Sequence, residues 1–97
     1  MPKLTGKQAR HLRALGHKLK PTVMVGKEAV TDKLVVACKE QLAIHELIKV
    51  KILESCPQDR KEVAAELAAQ TGASVAQILG RTLLLYLAGP DRLITLP

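Results

Sequence analysis

The sequence predicts a single α/β domain, ordered α-β-α-β-α-β-β, with helices packed on a mixed four-stranded sheet. Three observations carry this expectation. Residues 47–53 read Leu-Ile-Lys-Val-Lys-Ile-Leu, an alternation with the period of a half-buried strand. Helix start and stop signals, Thr31, Asp59 and Gly72, bracket segments of helical spacing on either side of it. Gly80-Arg81 then separates two short apolar runs, as a two-residue hairpin turn with glycine first does. A chain of 97 residues makes one domain and is too short for two.

A first helix is expected over residues 4–19. Leu4, Leu12, Leu15 and Leu19 recur on one face, while Lys3, Lys7, Arg10 and His17 follow the same spacing on another. Gly16 weakens its last turn by about 1 kcal/mol against alanine, and Pro21 disfavours helix at Lys20. Residues 22–25, Thr-Val-Met-Val, form a short strand stopped by Gly26. The loop Gly26-Lys27-Glu28-Ala29 leads to a second helix near 31–44, capped by Thr31, with Asp32 at its positive end and Val35, Cys38 and Leu42 inward.

In the strand at 47–53, Ile48, Val50 and Ile52 face the core and Lys49 and Lys51 the opposite side. Pro57 breaks the chain. Asp59 to Glu62 has the spacing of a capping box for a third helix over about 60–71. That helix packs through Val63, Leu67 and its alanines and ends at Gly72. Strands at 74–79 and 82–87 make the hairpin, the second apolar on both faces and therefore central or covered on both sides. The strand–helix–strand units favour parallel pairing and the hairpin adds an antiparallel pair. The tail, 88–97, holds a turn signal, Gly89-Pro90-Asp91, and a short aliphatic stretch, Leu93-Ile94-Thr95-Leu96.

Charge is unevenly distributed. The formal net charge is +6, but residues 1–51 carry eleven Lys/Arg against four Asp/Glu, and residues 52–97 four against five. The asymmetry suggests an anionic partner for the first half of the chain, although a solvated, solubilising face has the same signature. The longest apolar run, Leu83–Ala88, is far below the ~20 residues of a membrane span, and no apolar signal region follows the basic N-terminus. A cytoplasmic protein is expected. Cys38 and Cys56 read as reduced thiols rather than a disulfide or metal set. No Ser/His/Asp set, metal cluster or phosphate-cradling NTPase motif appears, so neither an enzyme nor a cofactor is expected. His45-Glu46, at a helix-to-strand junction, is better explained by capping and packing than by acid–base chemistry. Tyr86, the only aromatic residue, cannot make a stacking platform alone and reads as core.

The stretches Leu19-Lys20-Pro21, Val25-Gly26-Lys27 and His45-Glu46-Leu47-Ile48-Lys49-Val50-Lys51 resemble the CRM domain, named for chloroplast RNA splicing and ribosome maturation. So do Thr71-Gly72-Ala73, Gln77-Ile78-Leu79-Gly80-Arg81-Thr82 and Leu85-Tyr86. The resemblance covers about residues 3–87. It implies an RNA-binding module whose fold looks like the C-terminal domain of translation initiation factor 3. It also implies the company of large-subunit ribosomal precursors, as for the bacterial stand-alone YhbY-like proteins. The family carries a Gly-x-x-Gly loop after its first strand. Here Gly26 and Lys27 match, Ala29 replaces the second glycine, and Glu28 puts a negative charge where phosphate is expected. Leu87 stands where the family often has a base.

The candidate RNA contacts are Arg10, Arg13, Lys18, Lys20, Gly26, Lys27, Lys49, Lys51 and Arg81. Lys27 sits before a helix N-terminus, where backbone N–H groups favour an anion. Lys18 and Lys20 lie next to that loop in sequence. The leading expectation is a non-catalytic, monomeric binder of ribosomal RNA in large-subunit assembly. The other is a protein–protein adaptor whose basic face meets an acidic partner, with the aliphatic tail as its contact segment.

Overall fold

The computed structural model describes residues 4–97, so Lys3 of the expected basic helix face lies outside them. The described chain runs α1 (Gly6–Gly16), β1 (Pro21–Val25), α2 (Asp32–His45), β2 (Leu47–Ile52), α3 (Arg60–Thr71), β3 (Ser74–Leu79) and β4 (Thr82–Tyr86). This is the α/β order read from the sequence. The strands form one sheet in the order β1-β2-β4-β3. β1 and β2 are parallel, joined through α2, and β4 runs antiparallel to both β2 and β3. The last strand therefore fills the gap between β2 and β3, which accounts for its burial from Leu83 to Tyr86. Gly80, with φ of 58°, makes the turn between β3 and β4.

Each face of the sheet has its own core. On one, Val23, Val25, Ile48, Val50, Ile52, Leu83 and Leu85 meet Val35, Cys38 and Leu42 of α2 and Val63, Ala64 and Leu67 of α3. Each buried aliphatic side chain here contributes about 1.5–3 kcal/mol. Burial also pushes the Cys38 thiol up to about 11, which keeps it protonated and inert. On the other face a smaller cluster gathers Leu12, Leu47, Ala76, Leu84 and Tyr86 beneath α1 and the tail.

Several expectations needed correction. α1 ends at Gly16, not at residue 19. A Cβ at Gly16 would lie 2.7 Å from a Leu84 methyl, so a glycine here lets the helix end press onto β4. The chain then turns away, with the Leu19 N–H donating to the Gly16 carbonyl at 3.0 Å. Leu15 and Leu19 are consequently 42% and 39% exposed rather than buried. The start of α1 carries a capping box that the reading passed over: the Thr5 hydroxyl accepts from the Gln8 N–H and the Gln8 side chain accepts from the Thr5 N–H. The expected box at Asp59 is reduced to a single bond, from the Lys61 N–H to the Asp59 carboxylate at 3.1 Å. β4 stops at Tyr86 and β2 at Ile52, each one residue early.

The tail packs onto the domain. Ile94 and Leu96 pack onto the cluster of Leu12, Leu84 and Tyr86. Glu46, just after α2, holds the tail there. It is 1% exposed with a left-handed φ of 63°. Its carboxylate accepts from the N–H groups of Gly89 and Leu93 at 3.0 Å and of Ile94 at 3.2 Å. Burial alone would raise its pKa. The three N–H donors and the positive charge of Arg92 outweigh burial, holding the carboxyl below its ordinary value.

Candidate nucleic-acid interface

The sheet's alternation decides where the basic side chains go. Ile48, Val50 and Ile52 point into the α2/α3 core, so Lys49 and Lys51 emerge on the α1 face. α1 packs against β3, β2 and β4, leaving β1 and the Lys51 end of β2 open on this face. There Thr22, Met24 and Lys51 are exposed and Lys49 is half-buried at the edge of the helix. Arg10, Arg13 and His17 follow one another by three and four residues along α1 and share a stripe. A groove of about 390 Å³ between α1 and the sheet brings Arg13 and His17 together with Lys49, beside Gln77 and Thr82. A second groove, of about 450 Å³, joins Lys49 to Lys20. No carboxylate is among the residues lining either groove.

The glycine loop lies at the other end of the sheet. β1 separates Lys20 from Gly26 by five residues, roughly 16 Å of strand. Lys18 and Lys20 are therefore remote from the loop they neighbour in sequence, and Lys18 lines neither groove. Lys51, paired with Met24, and Arg81, whose backbone carbonyl accepts from the Ile52 N–H, lie on the loop's side of the sheet, where Arg60 also donates to the Gly80 carbonyl at 3.1 Å. Two strand spacings, roughly 10 Å, separate Arg81 from the loop. Its guanidinium donates to the Leu53 carbonyl at 3.3 Å, which fixes it without using all its donors.

The loop itself keeps the glycine-like shape without the second glycine. Ala29 has φ of 59°, and its N–H closes the turn on the Gly26 carbonyl at 3.0 Å. The left-handed conformation costs a non-glycine residue roughly 1–2 kcal/mol. Gln58 supports the exit by accepting from the Val30 N–H at 3.3 Å, and Thr31 caps α2 through the Leu34 N–H. Lys27 is exposed at this turn, flanked in sequence by Glu28 and five residues before Asp32. Positive charge is more diluted here than on the strand face.

The family model of the CRS1/YhbY (CRM) domain matches residues 4–86. The chain belongs to the CRM-domain family. Among its relatives is the Bacillus subtilis protein named "Probable RNA-binding protein YqeI", 41% identical over 83 residues and covering 86% of each chain. A Haemophilus influenzae protein named "RNA-binding protein" is 32% identical over 97 residues, covering all of this chain and 98% of its own. The solution structure of a Staphylococcus aureus protein proposed to bind RNA superposes with a TM-score of 0.83 at 34% identity, covering 97% of this CRM domain and 99% of that chain.

Among the described residues, no group of three or more His, Cys, Asp or Glu could hold a metal ion. No described helix is long and apolar enough to cross a membrane. The buried acid, Glu46, is committed to the tail. His17, which is not among the candidate RNA contacts, lines the first groove with Arg13 and Lys49, and its helical spacing from Arg10 and Arg13 is legible in the sequence.

Proposed function

We propose that this CRM domain binds RNA without catalysing a reaction, and that its target is ribosomal RNA of the assembling large subunit in the cytoplasm. One observation carries the RNA assignment: Arg13, His17, Lys20 and Lys49 line two adjoining grooves with no carboxylate lining, and Lys51 is exposed on the same sheet face. Arg10 extends this surface along α1. Lys27 with the Gly26 backbone, and Arg81, make a second contact line at the loop end, and Lys18 contributes long-range attraction only. The large-subunit target rests on the family resemblance. Of the adaptor alternative's contact segment, Ile94 and Leu96 pack against the domain, while Leu93 stays exposed.

Affinity for ribosomal RNA, titrated across salt, tests the reading. Each phosphate neutralised on a single strand adds about −0.7 to the slope of log K against log salt, so four to six contacts give about −3 to −4. A flat dependence would exclude a phosphate-dominated interface. Co-sedimentation with large-subunit rather than small-subunit precursors tests the target. Within the loop, Lys27→Ala is expected to weaken binding by about 1.5–3 kcal/mol, and Glu28→Gln to strengthen it.

A further inference from the structure

The groove that joins Lys49 to Lys20 differs in character from its neighbour. Its walls are aliphatic: Leu15 and Leu19 from the end of α1 and the turn beyond, Leu47 from β2, and Ile94 from the tail. Neither Leu15 nor Leu19 belongs to either core cluster, so their 42% and 39% exposure has no packing reason. Lys20, immediately before β1, and Lys49 of β2 stand side by side at this groove, since Pro21 pairs with Lys49. Thr22 and His45 supply a hydroxyl and an imidazole to the same lining.

Resting on the RNA-binding reading, we propose that this groove is a pocket for a single unpaired nucleotide, its base between Leu15, Leu19, Leu47 and Ile94 and its flanking phosphates on Lys20 and Lys49. The chemistry selects this occupant. A flat, largely apolar ring fits aliphatic walls, and the cationic rim demands that the ring carry an anion. Base edges offer donors and acceptors that Thr22 and His45 can meet. The volume of about 450 Å³ lies in the range of small-ligand pockets. The groove is also continuous with the rest of the interface, because Lys49 lines both grooves and the backbone can pass from one to the other. A base held within a duplex cannot enter. The pocket therefore selects loops, bulges and single strands, where bases are free to be splayed out.

Three probes test the pocket: a short unstructured RNA oligonucleotide, the same oligonucleotide paired with its complement, and the same backbone with abasic positions. The wild-type protein should bind the base-bearing single strand about fivefold better than the abasic one. That is the low end for base stacking, because leucine has no π-face. Leu15→Ser with Leu19→Ser should remove this advantage and leave the salt slope, the duplex affinity and the thermal melt unchanged. Equal affinity of the wild-type protein for base-bearing and abasic strands would overturn the pocket and leave the RNA-binding reading standing. Absence of binding to all three probes would overturn both. A concentration-dependent dimer abolished by the leucine substitutions would assign the groove to a second copy of the chain and overturn the nucleotide.

Discussion

The two faces of the sheet are built from the same four strands and have opposite fates. The α2/α3 face is aliphatic and sealed, with Val25, Val50, Leu83 and Leu85 wholly buried. The α1 face is covered by one helix, which packs on β2, β3 and β4, and by a pinned tail, and it is left open along β1 and at the Lys49–Lys51 end of β2. The difference lies in one strand. β2 sends Ile48, Val50 and Ile52 to the sealed side and Lys49 and Lys51 to the open one. A one-residue slip in its register would bury both lysines and destroy both faces together. Stability is concentrated on one side of this strand and recognition on the other, so substitutions on the two sides should separate the two properties.

The largest expected effect is on the sealed side. Leu85→Ala should lower the stability by about 2–5 kcal/mol in urea denaturation, through lost burial and the cavity left behind. The affinity of the remaining folded molecules for RNA should not change. A change in their affinity would couple the two faces that we describe as separate.

Next is the reverse experiment. Lys49→Glu with Lys51→Glu should weaken RNA binding by about 3 kcal/mol, two contacts at the low end of the charge-assisted range. The salt slope should become shallower by about 1.4. Thermal stability should be unchanged, and a collapse of the melt would show that the lysines are structural.

A third effect sharpens the role of the tail. The folded state holds the Glu46 carboxyl below its ordinary value, so folding favours its charged form. The stability it adds is complete above the unfolded pKa and is lost as the pH falls through the lower, folded pKa. Denaturation midpoints measured across acidic pH should therefore fall for the wild type, and Glu46→Gln should remove that part of the dependence. An identical pH profile for both would show that the carboxylate does not hold the tail.

The smallest effect concerns Ala29. Glycine would relieve a left-handed strain of roughly 1–2 kcal/mol and give back roughly 0.5–1 kcal/mol through the freer unfolded chain. Ala29→Gly should thus stabilise the domain by about 0.5 kcal/mol in urea denaturation, whereas destabilisation would mean that the loop is not strained.

Much of this was legible in the sequence where local pattern and final packing agree. The spacing of Val35, Cys38 and Leu42 gave the buried face of α2, and the alternation around Lys49 gave the face from which the basic residues emerge. The Thr5–Gln8 capping box was equally local and was passed over. What was illegible depends on distant partners. The leucine spacing runs on through Leu15 and Leu19, and nothing local shows that Gly16 is where the helix end presses onto Leu84. Glu46 meets Gly89, Leu93 and Ile94 across 43 to 48 residues, so no local signal marks it as the anchor of the tail. Lys20 and Lys27 are near in sequence yet stand at opposite ends of β1, because a strand carries the chain away as fast as covalent geometry allows.

The most direct test of the division between the faces is amide chemical-shift mapping of the labelled protein titrated with ribosomal RNA. We expect shifts to concentrate at Arg10 to His17, at Lys20 to Met24 and at Lys49 to Lys51, with weaker changes at Gly26 to Ala29 and Arg81. The exposed surfaces of α2 and α3 should stay unperturbed. Shifts centred on those two helices, with Lys49 and Lys51 unmoved, would contradict the assignment of the open face to RNA.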